Sequence, residues 1–143
     1  MDCFYFKDRF RTLDLNASEH ERLKEKIAQL LRGERSLDEL IRSRSGFLRS
    51  ARPKVQIETR VLLENESSTH STLLEVVAQD RPGLLYQIAQ SLAQLSCNIE
   101  IALIDTEGEM ALDVFYLRAA GHKLSGDIQD RLRDELLKKL GAE

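Results

Sequence analysis

The run Thr72 to Gln79 (TLLEVVAQ) stops at Asp80-Arg81-Pro82-Gly83, and apolar residues resume at once with helical spacing. This junction constrains the fold more than any other stretch of the chain. Eight residues rich in aliphatic and β-branched side chains read as a buried strand. Pro82 and Gly83 break the extended backbone, and Leu84, Leu85, Ile88, Ala89, Leu92 and Leu95 then line one face of a helix that stops near Ser96. A connection this short sends the helix back over the sheet it has just left.

The same rhythm recurs downstream. Asn98 to Thr106 alternates with period two, Glu107-Gly108 makes a turn, and Met110 to Arg118 returns as the second arm of a hairpin. After Gly121 a helix is expected from about Gly126 to Leu140, with Ile128, Leu132, Leu136, Leu137 and Leu140 inward. Upstream, Val55, Ile57, Thr59, Val61 and Leu63 share one face of a half-buried strand over Val55 to Leu63, and Glu64 to Ser71 is turn material. The order strand, strand, helix, strand, strand, helix implies an α+β two-layer sandwich, an antiparallel four-stranded sheet with helices on one face. In the ferredoxin-like βαββαβ plan the last strand follows the second helix. Here the chain ends at Gly141-Ala142-Glu143, so the Val55 strand is expected to take that place as a permuted edge strand. The other sheet face or an edge is then left for a partner.

The N-terminal third reads differently. Met1 to Asp8 (MDCFYFKD) has the character of a strand. Ala17 to Leu31 is expected to be a helix carrying Leu23, Ile27, Leu30 and Leu31, opened by a Ser18-x-x-Glu21 capping box and stopped by Gly33. A shorter helix opens at Ser36-x-x-Glu39, carries Leu37, Leu40 and Ile41, and ends before Gly46. Arg42 to Lys54 holds five basic residues and no acid, and reads as a solvated connector. Asp2-Cys3-Phe4-Tyr5-Phe6-Lys7 is similar to Asp113-Val114-Phe115-Tyr116-Leu117-Arg118, and Arg22-Leu23 through Leu31 to Arg131-Leu132 through Leu140. The expected organisation is therefore the closing half of a first unit over 1–33, a short helix and basic linker over 34–54, and a complete second unit over 55–143. Such a chain is expected to be a piece of something longer, and its orphaned strand to seek an edge.

Composition excludes several function classes. A formal net charge of −3 weakens any claim of general nucleic-acid binding. Phe4, Tyr5, Phe6, Phe115 and Tyr116 lie on strands as base-stacking platforms would, but core packing is the simpler account. No apolar run reaches the length of a membrane span, no signal peptide opens the chain, and a cytoplasmic location is expected. Cys3 and Cys97 form no C-x-x-C pair. His20, His70 and His122 have no metal-ligand spacing, and no nucleophile-elbow, phosphate-loop or zinc-protease motif is present. The chain itself is expected to be no enzyme and to need no cofactor or metal.

What remains is the loop Asp80-Arg81-Pro82-Gly83-Leu84-Leu85. Amides at a helix start carry the positive end of the helix dipole, Gly83 leaves room for close approach, and Asp80 can cap the helix or accept from an ammonium. A carboxylate on the amides and an ammonium on Asp80 together describe a free amino acid. An Asp-capped helix start of purely structural purpose has the same sequence.

The stretch LLEVVAQDRPGLLYQIAQSLAQLSCNIEIALIDTEGEMALDVFYL resembles an ACT domain, the amino-acid-sensing module of metabolic enzymes. The D-R-P-G-L-L motif, the amphipathic helix after it, Asn98 opening the next strand and the D-V-F-Y of Asp113 to Tyr116 carry the match. With Val61-Leu62-Leu63-Glu64-Asn65-Glu66-Ser67-Ser68 before it, the chain resembles the C-terminal tandem-ACT region of bifunctional uridylyltransferase/uridylyl-removing enzymes that modify the PII protein. The resemblance implies a regulatory role with glutamine as ligand, and catalytic domains of a parent enzyme as partners. It implies a ligand loop at Asp80, Arg81, Pro82, Gly83, Leu84 and Leu85, with Asn98 and Ile99 across a contact with a second ACT unit or a homodimer mate. Two alternatives stay open: an ACT-type assembly module that binds no metabolite, and the ACT regulatory domain of another enzyme.

Overall fold

The computed structural model describes residues 11–45 and 54–141, which fall in two compact units, Met1–Phe47 and Leu48–Glu143. The described part of the first unit is helical: α1 (Thr12–Leu15), α2 (Ala17–Leu31) and α3 (Leu37–Ser45). The bounds of α2 agree with its apolar spacing, but its cap does not. Asn16 is the N-cap, in extended conformation, and its Oδ1 accepts from the Ser18 amide at 3.1 Å and the Ser18 hydroxyl at 2.6 Å. Ser18 is already helical, so the expected Ser18/Glu21 box does not form, and Glu21 pairs instead with Lys24. Gly33, at φ 70°, ends the helix as expected. Leu23, Ile27 and Leu31 are exposed. The expected strand Met1–Asp8, and with it the strand half of the repeat, lies outside the described residues, as do 46–53 of the basic connector; Arg42 to Ser45 close α3.

The second unit contains β1 (Arg60–Glu64), β2 (Thr72–Gln79), α4 (Leu84–Gln94), β3 (Cys97–Glu107), β4 (Met110–Ala119) and α5 (Gly126–Leu140). The sheet order is β1-β2-β4-β3 and every neighbouring pair is antiparallel. This is the ferredoxin-like sandwich, with β1 on the edge that a trailing strand would occupy. β1 is shorter than its alternation implies. The amides before it are bonded to side chains rather than to a ladder: Lys54 and Val55 donate to the Glu109 carboxylate, and Ile57 to Gln79 Oε1 at 3.2 Å.

Alternation decides which face is dry. Leu63 on β1, Leu74, Val76 and Ala78 on β2, and Ala111, Phe115 and Leu117 on β4 point to the helices and are buried with Leu84, Ile88, Leu92, Leu132, Leu136 and Leu140. Two expectations fail on the helices. Leu85 and Leu137 are exposed, while Ser91 is fully buried. Ser91 is held there by a polar bracket between α4 and α5, in which the Lys139 ammonium donates to Ser91 Oγ at 3.0 Å and to Glu135 at 2.7 Å. Lys139 thereby holds the Glu135 carboxyl below its ordinary range.

Candidate functional site

The chain leaves β2 at Gln79 and enters α4 at Leu84. The Asp80 amide donates to the Glu109 carbonyl at 2.8 Å, which ties the loop's first residue to the β3–β4 turn. The N-cap of α4 is Gly83, at φ 86°, a left-handed conformation that side chains resist. Asp80 therefore does not cap the helix: it lies three residues before the cap, and no side chain among the described residues caps α4. Pro82 stands just before the cap, outside the first turn.

Within the loop, the Leu84 amide donates to the Arg81 carbonyl at 3.1 Å, and the Gly83 carbonyl accepts from Gln87 at 3.0 Å. The amides of Gly83 and Leu85 have no acceptor among the described residues. Arg81 reaches sideways to α5, where Nη2 donates to the Lys139 carbonyl at 3.3 Å and to Gln87 Oε1 at 3.1 Å. The loop thus presents Asp80 and two amides at the positive end of a three-turn helix, with its arginine drawn toward α5.

Asn98 and Ile99 are not beside this loop within the unit. Gln79 pairs with Met110, and Met110 with Glu107, so the loop lies at the Glu107 end of the sheet. Asn98 pairs with Arg118 at the other end. Nine residues of strand separate Asn98 from Glu107, about 30 Å at the rise of an extended chain.

β3 is the outer strand and is exposed along its length beyond Cys97. A bulge between Ile99 and Ile101 shifts the alternation, so Ile101 and Leu103 lie on the open face and Ile99 and Ile104 on the helix side, yet all four are exposed. Their exposures of 44% to 57% mean that neither layer of this unit covers the strand.

One buried acid of the unit stands out. Asp113 lies among Ala111, Phe115 and Leu117 on the helix-facing side of β4, 2% exposed, and its Oδ1 has no hydrogen-bond partner among the described residues. Burial pushes its carboxyl up to about 6, with the Asp80 charge adding to the effect and a bond from the Asp105 amide opposing it. The alternation A-x-D-x-F-x-L over Ala111 to Leu117 is the sequence signal that puts an acid at a core position.

Phe115 is 1% exposed in the core, which removes it as a base-stacking platform. Among the described residues no three His, Cys, Asp or Glu side chains could hold a metal, and no helix is long and apolar enough to cross a membrane. A groove of about 650 Å³ opens beside β1, lined in part by Arg60, Leu62, Glu75, Val77, Met110 and Leu112; Met110 pairs with Gln79, so the groove reaches the end of the sheet at which the loop begins.

Comparison with known proteins agrees with this fold. A family model described as an ACR9-like, ACT-like domain matches residues 60–143. The chain is 47% identical over 62 residues to a bifunctional uridylyltransferase/uridylyl-removing enzyme of Azospirillum brasilense, covering 43% of this chain and 7% of that protein. The proteins of the same description from Nitrobacter winogradskyi and Nitrobacter hamburgensis are 41% and 38% identical over 96 residues, 67% of this chain and 10% of theirs. The chain thus spans a tenth or less of the length of these relatives. No solved structure matches it.

Proposed function

The chain belongs to the ACT-like domain family, and we propose that it is the amino-acid-sensing regulatory module of a PII-protein uridylyltransferase/uridylyl-removing enzyme, with glutamine as ligand. The observation that carries this reading is the start of α4. Asp80 and the unaccepted amides of Gly83 and Leu85 match the two ends of a zwitterion, at the positive end of a helix dipole. The relatives supply the enzyme context, since the matched region is a small part of a bifunctional uridylyltransferase/uridylyl-removing enzyme in each.

A second unit completes the site in this reading. An edge strand with exposed apolar side chains on both faces is covered only by a neighbour that continues both layers, the sheet and its helices. If β3 pairs antiparallel with the β3 of another ACT unit, the Asn98 end of one strand meets the Glu107 end of the other. Asn98 and Ile99 of one unit then stand near the Asp80 loop of its mate, bringing together residues that one unit holds apart.

The test is calorimetric titration of the chain with glutamine, glutamate and a panel of other amino acids, alongside Asp80→Ala. Saturable binding of glutamine that Asp80→Ala abolishes supports the sensing role. No heat with any amino acid, in a chain that still self-associates, leaves the second reading: an assembly module whose β3 edge pairs without a metabolite. That reading draws on the exposure of Ile99, Ile101, Leu103 and Ile104.

A further inference from the structure

Asp113 poses a chemical question that the loop alone does not answer. A carboxyl oxygen sealed from solvent with no hydrogen-bond partner is costly, and native cores hold few of them. Its position is not arbitrary. Asp113 pairs with Val76 on β2 and Ile104 on β3, one inward-facing row in from Ala78 and Ala111. That outer row is where the chain leaves β2 through Asp80 toward α4. Its side chain shares the helix-facing side with Phe115 and Leu117, within reach of the Asp80 charge.

Among the described residues, the charge that acts on it is that of Asp80. β2 contributes the neutral Val76 and, at its end, the Asp80 carboxylate; β3 contributes Ile104 and the Asp105 amide. Along Leu84–Gln94, α4 carries no charged residue, and its one titratable group is the Tyr86 phenol. The guanidinium of Arg81, the cation nearest in sequence to Asp80, bonds to Gln87 and to the end of α5. The Asp80 charge thus acts on a buried carboxyl whose Oδ1 lacks a donor among the described residues.

We propose that Asp113 is the deep half of the amino-acid site: the ammonium group of a bound α-amino acid lies between Asp80 and Asp113 Oδ1, while its carboxylate takes the amides of Gly83 and Leu85. This rests on the sensing role proposed above and adds a residue and a movement to it. A primary ammonium has three donors and a positive charge, which answers both the missing bond and the like-charge pair. Because Oδ1 is sealed, admitting the ammonium lifts the first turn of α4 from β4, and that displacement is the signal the module passes on. Burial and Asp80 also raise the proton affinity of Asp113, so a proton competes with the ammonium for the same oxygen.

The experiment is glutamine titration of the 143-residue chain and of Asp113→Asn between about pH 5 and about pH 8. In the native chain, affinity rises with pH through about 6, and calorimetry in two buffers of different ionisation enthalpy shows proton release on binding there. Asp113→Asn weakens binding about tenfold or more at the upper pH and flattens the profile, as loss of a charge-assisted bond requires. Equal affinity and an unchanged pH profile in Asp113→Asn overturn the proposal and leave the sensing role standing. If Asp113→Asn does not fold, the native chain decides alone, because absence of proton release near pH 6 overturns the proposal as well. No binding of any amino acid by the native chain sinks both.

Discussion

Thr72 Oγ1 lies 2.8 Å from the Leu124 amide and accepts its hydrogen bond, while its own proton goes to Asn65 Oδ1 at 2.6 Å. Asn65 Nδ2 donates on to the Leu124 carbonyl at 3.3 Å, and the Lys123 ammonium to the Asn65 carbonyl. A fully buried hydroxyl thus ties the β1–β2 connection to the segment between β4 and α5. This makes β1 an integral edge of the sheet even though it precedes the other five elements of its unit.

Thr72→Val keeps the shape and removes both bonds, leaving a buried amide and an amide oxygen without partners. The expected loss is about 2 kcal/mol, read as a lower urea midpoint at unchanged slope. Asn65→Ala is expected to cost about 1 kcal/mol, because Asn65 is itself only half-buried and water can replace part of its side chain. A change within about 0.5 kcal/mol in both would show that the network contributes nothing beyond packing.

Much of this architecture was legible because its signals are periodic. The bounds of β2, α2 and α5 follow directly from apolar spacing and breakers. The failures share a different cause, which is that polar partners far away in the chain decide the outcome. Ile57 leaves the ladder because Gln79 takes its amide, and Ser91 enters the core because Lys139 reaches it from α5. Leu85 and Leu137 sit on the margins of their helical stripes, where spacing alone does not distinguish core from rim. For the site, the loop was legible as a motif. The distance between Asn98 and Asp80 was not, since it depends on which end of each strand the loop occupies.

Gly83→Ala tests the loop. At φ 86° an alanine side chain meets a steric cost of about 1 kcal/mol, which thermal or urea unfolding will detect. In the proposed site a carboxylate takes the Gly83 and Leu85 amides, so a side chain added at this cap is expected to lower glutamine affinity by about tenfold or more. A stability loss with unaltered affinity would move the ligand away from this helix start.

Leu103→Lys tests the edge. A charge at the middle of β3, on a side chain that is 57% exposed, costs the isolated unit little but opposes edge-to-edge pairing. Sedimentation velocity is expected to show self-association in the native chain, weakened about tenfold or more by the substitution, with the circular dichroism spectrum retained. Equal association in both proteins would place the contact elsewhere.

Asp113 gives stability an unusual dependence on pH. Its carboxyl is raised from 3.8 to about 6 in the fold, so between these values the folded state holds a proton that the unfolded chain has released. Folding then binds protons, and the contribution of Asp113 is fully present below about pH 4 and lost as pH rises through about 6. The difference converts to at most about 3 kcal/mol, because this side chain is nearly solvent-free. Glu135 runs the other way: its lowered carboxyl favours the fold above its ordinary range and loses that effect as pH falls. Asp113→Asn is therefore expected to raise the urea midpoint at pH 8 while changing it little near pH 4. Against a native reference, the stability gap should open across the interval in which Asp113 ionises. A variant that is more stable at neutral pH but binds glutamine more weakly would identify Asp113 as a residue retained for binding at the expense of the fold. A midpoint lowered equally at both pH values would make it a structural residue.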